Sequence, residues 1–107
     1  LRREIFFTIN KWVIRDSEQQ KVKDIADYLG KYPKAKVDVT GYADAGTGND
    51  RINDRLAAKR ADIVVKALRE QYGISEDRIS YSSKGSRVQP FPDNNDMNRV
   101  TICIAAE

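Results

Sequence analysis

Histidine is absent from these 107 residues, and cysteine occurs once, at Cys103. Without histidine, the commonest metal ligand and the commonest general base near neutral pH are both missing. One cysteine closes no internal disulfide and builds no multi-cysteine metal site. Long apolar runs are missing as well, none approaching the ~20 residues that cross a bilayer, so the domain is not expected to span a membrane. No charged, then apolar, then small-residue leader opens the chain, and it starts at Leu1 without Met, which reads as a processed chain or an excised domain. An excess of one charge is also lacking. The 19 Lys and Arg are interspersed with 16 Asp and Glu, a net charge of +3 with no basic strip, so nucleic acid is not expected as a partner. What is present is a globular balance, 40% hydrophobic and 33% charged, in a length that suits one domain.

Along the chain, Ile5, Phe7 and Ile9 alternate with Phe6, Thr8 and Asn10, the period of a strand whose end leaves Thr8 and Asn10 on one face. Ser17 with Gln20 three residues later reads as a capping box for a helix with an apolar stripe of Val22, Ile25, Ala26 and Leu29, ended by Gly30 and Pro33. A second strand follows in AKVDVTGY, then a glycine-rich loop, then a helix from about Asp50 to Tyr72 with Gly73 as its C-cap. DRISYSS and NRVTICIA read as two more strands, separated by KGSRVQPFPDNND, whose Gly, Pro and Asn/Asp content forbids regular structure. The order βαβαββ predicts an α+β fold, two helices on one face of a four-stranded mixed sheet, as a single domain over residues 1–107.

Chemistry is sparse. The loop GYADAGTG lacks the Lys-Ser/Thr that completes a phosphate loop, and its three glycines do not fit GxGxxG. Asp44, Asn49 and Asp50 do not follow a calcium-loop pattern, so no metal or cofactor is expected. With no histidine, and Cys103 inside an apolar strand, there is no nucleophile and base pair, and no enzymatic activity is expected. One residue stands out. On the second helix Leu56, Ala57, Val64, Ala67 and Leu68 fall within roughly 60° of Asn53, and Arg60 lands at about −20°, inside the apolar stripe. A guanidinium there needs a carboxylate, a set of carbonyls or a ligand. Asn53 and Arg60 lie on one face about 10 Å apart and, with Asp44, outline a cleft. Two readings stand side by side: a pocket offering a carboxylate and a guanidinium to an amino-acid group, or a buried Asp44–Arg60 ion pair holding the loop to the helix.

The stretch VTGYADAGTGNDRINDRLAAKRADIVVKAL resembles the signature of the OmpA-like domain, with Gly41, Asp44, Gly46, Asn53, Leu56, Arg60, Ala61 and Val64 matching in order. The likeness extends from IFFTINKWVI through YGISEDRIS and SKGSRVQPF to NRVTICI. It implies a peptidoglycan-binding module at the periplasmic face of the outer membrane, in which Asp44 and Arg60 grip the diaminopimelate of the cell-wall stem peptide. Asn53 matches the motif's Asn at the helix start and Asn10 the Asn at the end of the first strand, both implied to contact the stem peptide or shape its pocket. Thr8 stands where the family often has Asp, Ala43 where Thr is common, the loop is one residue longer, and Arg99 is the single arginine of a motif that often has two. An interaction scaffold of the same fold is the alternative function, and a wall hydrolase the enzymatic one. If Arg60 serves a ligand alone, Arg60→Met combined with Asp44→Asn is expected to melt no lower than the unaltered chain.

Overall fold

A computed structural model describes residues 1–107. Four strands, β1 (Arg2–Phe6), β2 (Lys36–Gly41), β3 (Ile79–Ser83) and β4 (Val100–Ala106), form one sheet in the spatial order β1-β4-β2-β3. Strands β2 and β3 run parallel, whereas β4 pairs antiparallel with both β1 and β2, so the sheet is mixed. Helices α1 (Gln19–Lys31) and α2 (Asp50–Lys66) pack on one face, as the α+β reading predicts. Alternation decides which face they cover. Ile5, Val37, Val39, Cys103 and Ala105 point toward the helices and are buried against Val22, Ile25 and Leu29 of α1, Ala61 and Val64 of α2, and Leu68 just beyond it. The register places Glu4, Asp38, Thr40, Ser80, Ser82 and Ile104 on the opposite face.

Insertion of the last strand between the first two sets where the site forms. Because β4 is antiparallel to its neighbours, its beginning lies beside the ends of β1 and β2, with Phe6 opposite Val100 and Gly41 opposite Thr101. The Arg99 carbonyl accepts from the Phe7 amide at 2.7 Å, and the Val100 carbonyl from the Tyr42 amide at 2.9 Å. The segments after β1, after β2 and before β4 therefore converge at one end of the sheet.

Helix α2 crosses the end of β2 at Gly41, and this contact needs glycine. A β-carbon there would lie 2.0 Å from the Ala57 carbonyl oxygen and 2.9 Å from the Ala61 amide nitrogen. The absent side chain lets the helix backbone settle on the strand and brings Arg60 over its end.

Three local expectations are corrected. The first strand ends at Phe6, so Thr8, Ile9 and Asn10 lie in a loop; Ile9 is exposed, and Asn10 turns the chain with a φ of 57°. Ser17 does not cap α1. The helix starts one residue later, after the buried Glu18, whose carboxylate accepts from the Phe6 amide at 2.7 Å and pairs with Lys21, while the Gln20 side chain donates to Asp24 at 2.9 Å. Helix α2 is capped by the Asn49 side chain, and beyond Lys66 its spiral loosens into a π-helical turn at Ala67–Gln71 before Gly73, at a φ of 68°, ends it.

Candidate functional site

Arg60 is 1% exposed, and its partners are carbonyls. Nε donates to the Lys11 carbonyl at 2.9 Å, Nη1 to the Tyr42 carbonyl at 3.1 Å and Nη2 to the Thr8 carbonyl at 3.3 Å. One guanidinium thus ties the loop after β1 to the segment after β2, while its central carbon lies over the Phe7 ring, 5.6 Å from the ring centre. The Arg60 backbone is fixed in turn, its carbonyl accepting from the buried Thr101 hydroxyl at 2.8 Å. Three of the five N–H groups are used, leaving two. Burial is the main force lowering the Arg60 pKa to about 10; nearby Arg99 lowers it further and Asp44 opposes both, so the group stays charged at neutral pH.

The Asp44–Arg60 ion pair, one of the two readings of the sequence, is not formed; Asp44 pairs with Arg99. Asp44, 2% exposed, accepts from Arg99 Nη1 at 3.2 Å through one oxygen and from the Thr47 hydroxyl at 3.0 Å through the other. Arg60 is instead engaged by its three carbonyls, and the start of β4 brings Arg99 to the Asp44 carboxylate. Arg99 Nη2 also meets the exposed Asp96 at 3.0 Å, and Arg99 Nε is buried with no hydrogen-bond partner.

Asn53 organises the loop. Its Nδ2 donates to the Thr47 carbonyl at 3.0 Å, and its carbonyl oxygen would lie 3.0 Å from a β-carbon at Gly48, where φ is already 69°. Of the residues singled out from sequence, Asp44, Arg60 and Arg99 come together as charges, Asn53 shapes the loop beside them, and Thr8 contributes through its backbone carbonyl. The Asn10 residue is exposed at the rim of the same loop.

Sequence reasoning missed four supports. Thr47 holds Asp44, and Asp96 holds Arg99. Gln89 accepts from the Ala45 amide and donates to the Ala43 carbonyl, bracketing Asp44 from both sides. Asn98, fully buried, pairs with both the amide and the carbonyl of Phe91 and so pins the long segment ahead of β4. A buried Asn that closes a loop has no periodicity to betray it.

The arrangement offers a buried carboxylate, two guanidiniums and a glycine loop at the start of a helix, a set suited to recognising charged groups. The sequence profile of the OmpA family matches residues 6–101. The chain belongs to the OmpA family. It is 39% identical to Outer membrane protein 40 of Porphyromonas gingivalis over 103 residues, 96% of this chain and 26% of that protein. It is 40% identical to the peptidoglycan-binding protein ArfA of Mycobacterium bovis over 70 residues, 65% of this chain and 21% of that protein. In three dimensions it superposes on the peptidoglycan-associated lipoprotein of Burkholderia pseudomallei with a TM-score of 0.88 at 22% identity, covering 97% of this chain and 90% of the other. The chain spans about a quarter of the length of the curated relatives it matches. No helix is long and apolar enough to cross a membrane.

Proposed function

We propose that this domain binds peptidoglycan without covalent chemistry, through the diaminopimelate of the stem peptide, and tethers an outer-membrane protein or lipoprotein to the wall from its periplasmic side. The observation that carries the proposal is the buried Asp44 carboxylate set beside two guanidiniums at one end of the sheet. The peptidoglycan-binding ArfA, 40% identical over 70 residues, supports the partner class. Asp44 receives the ammonium of a zwitterionic amino-acid group, and the two unused N–H groups of Arg60 are the cationic donors for its carboxylate. Thr8 and Asn10 line the rim. A single site of this size binds modestly, and the repeating polymer supplies avidity.

The test is pull-down on purified sacculi containing diaminopimelate. Asp44→Asn, confirmed as folded, is expected to lose at least about ten-fold in binding, because an amide keeps the Thr47 contact but offers no charge to an ammonium. Sacculi should release no soluble fragments on incubation. Undiminished binding by the variant removes Asp44 from the site, and released fragments replace the proposal with hydrolysis.

A further inference from the structure

Asp44 is sealed in this structure, and Arg99 is what seals it. The carboxylate is 2% exposed, with one oxygen on the Thr47 hydroxyl and the other on Arg99 Nη1, so an incoming ammonium finds its seat occupied by a cation of the chain itself. Arg99 is held on its far side by Asp96, whose side chain is 83% exposed and sits on a short 3-10 turn, a tether with little to lose by moving. Its Nε is buried and unpartnered, an unmet donor beside the site.

We infer that Arg99 is an internal stand-in for the ligand's ammonium, displaced from Asp44 when the ligand binds and then turned, through Nε and Nη1, onto the ligand's carboxylate. This rests on the reading of Asp44 as the ammonium seat. Charge bookkeeping favours such an exchange: Asp44 and Asp96 balance Arg60 and Arg99, so the cluster is neutral before binding. A group bearing an ammonium and a carboxylate keeps it neutral. A lone ammonium does not, because it takes Asp44 and leaves a partly buried guanidinium without its counter-charge. Arg60 cannot perform the exchange, since its three carbonyl bonds hold it in place. Arg99 is thereby a specificity-determining residue: it penalises ligands that bring only the positive charge and repays those that bring both.

The probes are a synthetic stem peptide ending in diaminopimelate and the same peptide with lysine in its place, which keeps the side-chain ammonium and lacks the second carboxylate. The unaltered domain should prefer the first by about ten-fold or more, the value of a charge-assisted bidentate contact. Arg99→Gln should weaken the diaminopimelate peptide while leaving the lysine peptide as tight or tighter, so that the two converge. Equal weakening of both in the variant, or no preference in the unaltered domain, overturns the exchange and leaves wall binding standing. Binding of neither peptide by the unaltered domain overturns the reading of the site and the exchange with it. The arginine side-chain NMR signals of the unaltered protein give a measure that needs no variant: the Arg99 Nε–H signal should shift on adding the diaminopimelate peptide. An unmoved Arg99 signal under saturating peptide overturns the exchange.

Discussion

Arg60 and Arg78 each grip three backbone carbonyls, at opposite ends of the parallel pair β2 and β3. Arg78 donates to the carbonyls of Leu29, Tyr32 and Ala35, closing the C-terminal end of α1 just ahead of β3. Arg60 does the same for Thr8, Lys11 and Tyr42 beyond the end of β2. The surroundings differ. Arg78 is half-buried and its carbonyls belong to a helix end and the turn after it, where a cation is welcome for its own sake. Arg60 is enclosed, with a buried carboxylate and a second arginine close by. The same device is a clasp at one end and the floor of a charged cluster at the other, so anchoring three carbonyls is no evidence against a role in binding.

Gly41 separates the two ends most sharply, because only Arg60 depends on a helix lying directly on a strand. Gly41→Ala puts a methyl 2.0 Å from the Ala57 carbonyl oxygen, a clash with backbone that no rotamer relieves. It should cost about 3 kcal/mol or more in denaturant unfolding and abolish sacculus binding, since α2 must lift and take Arg60 with it. A stable variant with intact binding would show that the close approach of helix to strand is dispensable.

Next in size is Arg60→Met. The three carbonyls reverse the expectation that removing this charge is harmless: methionine fills volume but offers them no donor, and the loop after β1 loses its tie to the segment after β2. The variant, alone or with Asp44→Asn, should be less stable by about 3 kcal/mol and should not bind sacculi. A melting temperature at or above that of the unaltered chain would restore the purely ligand-serving view of Arg60.

What the sequence disclosed and what it hid divide along distance in the chain. Gly41, Asp44, Asn53 and Arg60 are legible because they ride on one strand, one loop and one helix whose periods can be counted. The four strands followed from alternation and turn residues, apart from the end of β1, where Ile9 fits the alternation but leaves the core, and the start of β3, where Asp77 and Arg78 lie in a 3-10 turn. Arg99 as the partner of Asp44 was not legible, since 55 residues separate them and only the insertion of β4 beside β2 brings them together. Gln89 and Asn98 lie in an irregular segment whose composition announces a loop but not which side chains tie it down.

Arg60→Lys probes the enclosure rather than the carbonyls alone. The burial that lowers the Arg60 pKa to about 10 would likewise hold a lysine there below its usual ~10.4. Between its folded and unfolded pKa values the unfolded chain holds a proton that the folded chain has shed, so folding stability should rise with pH across that window. Ligand affinity should fall over the same window, as the ammonium that meets the carboxylate is lost. The unaltered domain should show neither change up to about pH 9, its own group remaining charged until about 10. Parallel pH profiles for the two proteins would place the lysine in contact with water and the enclosure in doubt.

Arg78→Met should have the smallest effect and is the control that gives the comparison its meaning. Its three acceptors lie at the edge of the fold, where water can replace the guanidinium at the carbonyls of Tyr32 and Ala35 more readily than at the enclosed partners of Arg60. The methionine still covers part of the apolar surface that the arginine stem covered. A loss of about 1–2 kcal/mol is expected, the worth of one charged helix-end contact, with sacculus binding and peptide preference unchanged once the protein is folded. Binding lost at this end would mean that α1 and β3 transmit their packing to the far end of the sheet. The effects of Arg60→Met on binding would then reflect general loosening rather than the loss of a particular charge.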